Sequence, residues 1–203
     1  ADAWHSRGYV PHWEAGEIPQ AITFRLADSL PATILRRWQD ELAQLPEDER
    51  VAKRRARIER ALDSGHGNST LSNSTIAELV ENALLYFDDS RYRLHAWVIM
   101  PNHVHALVTP LGTHTLSAIV HSWKHSQQTK QMRFYVGRHF LGKEYFDRAI
   151  RDERHYANVL GYVAMNPVKA GLCKEPRDWR FSSEWMGREG RQDARAPKTD
   201  RAL

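Results

Sequence analysis

The chain has 203 residues and a hydrophobic fraction of 41%, enough apolar material for one domain with elaborations rather than two independent ones. Lys and Arg outnumber Asp and Glu by 29 to 25, and the resulting +4 permits a polyanionic partner without requiring one. The single cysteine, Cys173, excludes an intrachain disulfide and a cysteine-based zinc site. With no apolar run of about 18 residues and no signal-like start, the expectation is a soluble cytoplasmic protein without a membrane partner.

Taken in chain order, Tyr9, His12 and Trp13 dot a polar N-terminal stretch, and Ala21 to Leu26 alternates in polarity as a half-buried strand does. Asp28-Ser29-Leu30-Pro31 stops that strand. From Ala32 to about Asp63, Ile34, Leu35, Trp38, Leu42 and Leu45 recur at helical spacing, and Pro46 predicts a break. Beyond it Arg50, Lys53, Arg54, Arg55, Arg57 and Arg60 crowd together, either as a solvated helix face or as a contact for a DNA backbone. Asp63 to Asn68 reads as a loop. The stripe Ile76, Leu79, Val80, Ala83, Leu84 and Phe87 predicts a helix from about Ser74, with Asn73 or Ser74 as its cap.

Tyr92 to Met100 and Val104 to Thr109 read as two strands joined by a tight turn at Pro101-Asn102. Thr115 to Arg133 is a polar helix carrying His121, Lys124, His125 and Lys130. Glu144 to Ile150 predicts a final strand, and Asp152 to Met165 a helix ended by Asn166-Pro167. The stretch 187–203, rich in Arg, Gly and Asp, reads as a mobile tail. The order β-α-α-β-β-α-β-α predicts an α+β fold: a ferredoxin-like split βαβ antiparallel sheet with helices on one face. To this, in a single domain over 1–186, are added an N-terminal extension, a helical insertion at about 32–88 and a C-terminal extension.

Two features carry chemistry. In Asn102-His103-Val104-His105 the histidines stand at i and i+2 of a strand, so period two puts both imidazoles on one face, where they can share a divalent ion. A third ligand would come from an adjacent element. Taken alone, such a pair is more often a structural or surface feature than a metal site. Further on, Tyr162 and Asn166 are i and i+4 of the last helix and share a face. A phenol and an amide oxygen set against two sheet histidines would place a nucleophile beside a three-ligand metal site; read in isolation, they are a core aromatic and a helix stop.

Met100-Pro101-Asn102-His103-Val104-His105 resembles the His-hydrophobic-His signature of single-tyrosine transposases. Three later runs are similar to blocks of the REP-associated tyrosine transposases: Glu144-Tyr145-Phe146-Asp147-Arg148-Ala149-Ile150-Arg151-Asp152-Glu153, Tyr162-Val163-Ala164-Met165-Asn166-Pro167-Val168-Lys169-Ala170-Gly171-Leu172 and Asp178-Trp179-Arg180-Phe181-Ser182-Ser183. Arg7 to Glu14 and Thr23 to Asp28 also look typical of one branch. Phe140-Leu141-Gly142 departs from the family, which often has a Phe-Trp-Gln sequence there; local packing or a base contact is what that departure touches. The resemblance implies that His103 and His105 bind Mg²⁺ or Mn²⁺, with Asn166 as third ligand. Tyr162 would attack a phosphodiester, become linked to the 5′-phosphate and release a 3′-hydroxyl for later strand transfer. The implied substrate is single-stranded DNA carrying a repetitive extragenic palindrome (REP) hairpin with a tetranucleotide at its foot. The implied form is a monomer acting in cis, associated with the nucleoid when bound.

Tyr135, Tyr145 and Tyr156 compete for the role of nucleophile, Tyr145 most closely because a strand tyrosine can also reach the sheet surface. Lys124, Arg148, Arg151 and Lys169 are candidate phosphate clamps, and Trp4, His12 and Trp13 candidate stacking groups for unpaired bases. Each has an ordinary alternative, solvation for the cations and packing for the aromatics. Two further readings compete with the transposase: a hairpin-binding regulator that has kept the fold, and a metal-dependent hydrolase using water in place of Tyr162.

Overall fold

The computed structural model describes residues 4–6, 11–13, 17–65, 67–125 and 141–189. The side chains of Trp4, His12 and Trp13, together with Tyr9, Tyr135, Phe140, the polar helix beyond His125 and the tail beyond Glu189, lie outside the described residues.

Two short strands, β1 (Trp4–Ser6) and β2 (Pro11–Trp13), pair antiparallel with each other. The main sheet is built from β3 (Gln20–Leu26), β4 (Tyr92–Ile99), β5 (His103–Pro110) and β6 (Leu141–Ala149), all antiparallel, in the order β4-β5-β3-β6. Helix α3 (Ser74–Leu85) lies between β3 and β4, and α4 (Leu116–His125) between β5 and β6. That is the split βαβ plan: two crossover helices over a sheet whose central strands are the first and third of the four.

Both crossover helices pack on one face. Ile22 and Phe24 of β3, Trp97 and Ile99 of β4, and Val104 and Ala106 of β5 meet Ile76, Val80 and Leu84 of α3 and Ile119 and Trp123 of α4 in one core cluster. Helix α3 starts as its sequence requires, with the Asn73 side chain accepting from the backbone N–H groups of Thr75 and Ile76. A cap of this kind stabilises a helix by about 1 kcal/mol. In β4 the register shifts between Leu94 and Ala96, a bulge that changes parity. Downstream of it Ala96 and Val98 point to the face that Leu107 and His105 occupy.

The opposite face is covered by the additions to the plan. Pro46 does break the long helical segment, into α1 (Ala32–Leu42) and α2 (Glu47–Asp63). Helix α2 seats Ile58 and Leu62 against Leu30 and Phe146. Helix α5 (Glu153–Lys169) packs Val163, Tyr156 and Val159 against Val98, Met100 and Leu107. A last helix, α6 (Ser183–Glu189), follows Trp179 and runs three residues into the polar stretch that composition assigned to the tail.

One expected boundary is wrong. Asn166-Pro167 does not end α5, which continues to Lys169 with Pro167 inside it. Pro167 is two residues from the end, so it removes one late backbone hydrogen bond and its ring is buried. The stop is Gly171 at φ +71°: Leu172 N–H donates to the Pro167 carbonyl and Gly171 N–H to that of Val168, a Schellman closure.

Candidate active site

The histidine strand delivers what its period implies. His103 and His105 lie on the α2–α5 face of β5, 0% and 3% exposed, with Nε2 atoms 2.8 Å apart. Each ring is held by its other nitrogen. His103 Nδ1 is 2.6 Å from Asn102 Oδ1, and His105 Nδ1 is 2.8 Å from Thr23 Oγ1 across the β3–β5 ladder. The Asn102 amide nitrogen donates to the Leu62 carbonyl, which leaves its oxygen to accept from His103. His103 therefore carries its proton on Nδ1 and turns a lone pair at Nε2 toward its neighbours.

Those neighbours come from the two added helices. Asp63, the last residue of α2, brings Oδ1 to 3.4 Å from His103 Nε2 and 3.6 Å from His105 Nε2. From α5, Tyr162 donates its hydroxyl hydrogen to Asp63 Oδ2 at 3.0 Å, and its oxygen lies 3.4 Å from His105 Nε2. Asn166 sits one turn on, 3% exposed, with Nδ2 3.5 Å from Asp63 Oδ1. Its Oδ1 is buried without a hydrogen-bond partner. A buried acceptor without a donor costs on the order of 1–3 kcal/mol, so it marks a place where a further group is owed.

Electrostatics set the protonation states. Burial pushes the His103 imidazole down to about 4, against the pull of Asp63, so the ring is neutral at pH 7. Burial would raise the Asp63 carboxyl, but the adjoining His103 and His105 outweigh that and hold it well below the usual carboxylate range. The Tyr162 phenol is pushed well above its ordinary value, first by burial and then by the Asp63 charge. An anionic carboxylate, a neutral imidazole and an orphaned amide oxygen converging on one point suit a hard divalent cation. Asp63, His103 and His105 are the group among the described residues that could hold a metal ion, with ligand atoms all within 4.8 Å of one another.

Asp63 was not among the residues singled out by the sequence, which read it as the edge of a loop. The signal available was electrostatic. An acid at the C-terminal end of a helix faces the negative end of its dipole, and such a locally unfavourable choice points to a role elsewhere.

The other candidates fall at different distances from this cluster. The Lys169 ammonium is 5.6 Å from the centre of the Tyr162 ring. Arg148 lines the same cleft as Tyr162, His105, Arg55 and Asn158. Arg151 lines a neighbouring cleft with Arg55, Arg148 and Arg154, away from the tyrosine. Lys124 is set against β6, donating to the Gly142 carbonyl at 2.8 Å. Tyr145 belongs to the α3–α4 core, on the sheet face opposite the histidines, and Tyr156 packs edge-on against His95 at 5.5 Å.

The fold is that of a solved REP-associated tyrosine transposase. A solved structure described as a REP-associated tyrosine transposase bound to a REP hairpin superposes with a TM-score of 0.56 at 20% identity, covering 92% of this chain and 86% of that one. In sequence, the chain is 31% identical over 97 residues to the REP-associated tyrosine transposase of Escherichia coli K12, across 47% of this chain and 56% of that protein. It is 29% identical over 96 residues to a putative REP-associated tyrosine transposase of Haemophilus influenzae Rd, across 42% of this chain and 54% of the relative. The resemblance drawn from the sequence motifs is thus borne out, although each match spans only about half of the curated relative's length. No protein-family profile matches the chain.

Proposed function

We propose that this chain cleaves and rejoins single-stranded DNA at REP hairpins through a 5′-phosphotyrosine intermediate on Tyr162. One observation carries the reading: the Tyr162 hydroxyl lies 3.4 Å from His105 Nε2, inside the cluster that His103, His105, Asp63 and Asn166 build. The names of the relatives and the REP hairpin bound by the solved neighbour support the choice of substrate.

His103, His105 and Asp63 would hold Mg²⁺ or Mn²⁺, with Asn166 Oδ1 as a further oxygen ligand. When bound, such a cation polarises the phosphodiester and offsets the negative charge that develops on it. The chain's own residues do the rest. Tyr162 is fixed by α5 with its oxygen toward the paired imidazoles, so attack needs little reorientation. Its phenol stays protonated at rest; as the bond to phosphorus forms, its proton passes to solvent water, and the departing 3′-oxygen takes one up from water. The nearby Lys169 ammonium stabilises the charge that builds on the ring oxygen. Formation of the tyrosine–phosphorus bond breaks the bond to the 3′-oxygen, leaving a 5′-phosphate on the protein and a free 3′-hydroxyl. Attack by a 3′-hydroxyl from another end reverses the linkage without ATP.

Arg148, in the cleft beside Tyr162, is the best placed of the cations to hold a backbone phosphate, with Arg151 further out; His12 and Trp13 are kept as base-stacking candidates. Lys124, on the far side of the sheet, is a candidate for the hairpin stem rather than for the scissile strand. Action as a monomer in cis is part of the same proposal.

The test is to incubate the protein with Mn²⁺ and a labelled single-stranded REP hairpin and to look for a denaturation-resistant protein–DNA adduct. The parent should form one, and Tyr162→Phe should abolish adduct and cleavage while still binding hairpin. Cleavage that survives the substitution would make the protein a hydrolase using water. Tight binding without cleavage by the parent would make it a regulator.

A further inference from the structure

The helical insertion is more than an elaboration of the fold, because its last residue touches the nucleophile. Asp63 divides its carboxylate: Oδ1 faces His103 and His105 at 3.4 and 3.6 Å, and Oδ2 accepts the Tyr162 hydroxyl hydrogen at 3.0 Å. The two residues are 99 positions apart, so only the packing of α2 beside α5 brings them together. A hydrogen bond of this length fixes the direction of the O–H bond as well as the position of the oxygen. With the ring already edge-on to His105 at 5.1 Å, the phenol has few orientations left.

The end of α2 is itself held from several sides. Ile58 and Leu62 are 1% exposed and packed with Leu30 and Phe146. The Leu62 carbonyl accepts from the Asn102 amide, the same side chain whose oxygen orients His103. Ser64 closes the helix with its N–H and Oγ on the Arg60 carbonyl. One amide thus ties the last turn of α2 to the histidine strand, and a displacement of Asp63 relative to His103 would break it.

We infer that Asp63 is a positioning residue for the nucleophile: it aligns the Tyr162 hydroxyl with the paired histidines and makes α2 a wall of the catalytic centre. The inference rests on the proposed role of Tyr162, and the experiment separates the two. In the metal-free protein, thermal melts of Asp63→Ala, Tyr162→Phe and the double variant form a double-mutant cycle. A direct hydrogen bond makes the double variant differ from the sum of the single shifts by about 3 °C. With saturating Mn²⁺ and hairpin DNA, Asp63→Ala should slow adduct formation about 100-fold with hairpin affinity within about twofold of the parent, the size expected when a reacting group is misplaced. Asp63→Asn keeps an acceptor oxygen, folds in a near-isosteric side chain and should recover at least about tenfold of that loss; a merely structural acid would show no such split or rescue. Additive melts, or an adduct rate unchanged in Asp63→Ala, overturn the positioning role. Coupled melts with no adduct from the parent overturn the DNA-cleaving reading and, with it, any positioning of a nucleophile.

Discussion

His103 and His105 present their Nε2 atoms to each other at 2.8 Å while Asn102 and Thr23 occupy both Nδ1 atoms. Two imidazole lone pairs cannot face each other at that separation without a proton or a cation between them. The Nδ1 partners thus decide that the free nitrogens converge, and the proposed cation site would depend on residues that never meet the ion.

Thr23→Val should therefore lower Mn²⁺ affinity by roughly 10- to 100-fold, the usual consequence of removing the group that orients a ligating histidine. Titration calorimetry with the metal alone measures it. His105→Ala should abolish binding in the same experiment. An unchanged isotherm for Thr23→Val would mean that the β3–β5 ladder alone fixes the ring.

The metal-free protein should lose stability on mild acidification. His103 has a folded pKa of about 4, below the 6.5 of the free side chain, so the unfolded chain binds more protons between these values. The stability this neutral ring contributes is complete above about pH 6.5 and is lost as pH falls toward 4, amounting to about 3 kcal/mol. Asp63, whose folded pKa is depressed, adds its own loss only below the ordinary carboxylate range. Melting temperatures with chelator present, from pH 7 to 4.5, should fall, and His103→Gln should flatten the slope.

Gly65 and Gly67 both take positive φ, +73° and +87°, but their surroundings differ. A Cβ on Gly65 meets nothing within 4 Å, whereas one on Gly67 would fall 1.7 Å from the Ser29 carbonyl oxygen. Gly65→Ala should cost about 1 kcal/mol, from backbone strain alone. Gly67→Ala should exceed about 3 kcal/mol, because the loop after Asp63 must lift from the end of β3. Denaturant melts that rank the two equally would show that this loop yields freely.

Arg148→Ala should weaken hairpin binding and reduce the slope of log K against log salt by about 1, the signature of one lost phosphate contact. Lys124→Met should show the opposite balance. Its ammonium donates to the Gly142 carbonyl and lies 5.5 Å from the Tyr145 ring centre, so the loss should register in Tm more than in scissile-strand affinity. Fluorescence anisotropy at several salt concentrations, beside thermal melts, separates the two.

Much was legible in the sequence because it depends on local periodicity. Alternation placed His103 and His105 on one face, Pro46 split α1 from α2, Asn73 capped α3, and helical spacing set Asn166 beside Tyr162. The stop of α5 was misread because Pro167 is a stronger local signal than Gly171, although the glycine makes the closure. Asp63 offered only its unfavourable place at the end of a helix. Its meaning lies in a contact across 99 positions, and neither period nor motif encodes which face of a sheet an inserted helix will cover. The sequence by itself determined the two imidazoles and the tyrosine helix. Tertiary packing decided that α2 and α5 share the histidine face, while α3 and α4 fill the other with core. Bringing an acid to Tyr162 was the work of burying Ile58 and Leu62, not of any residue in the motif.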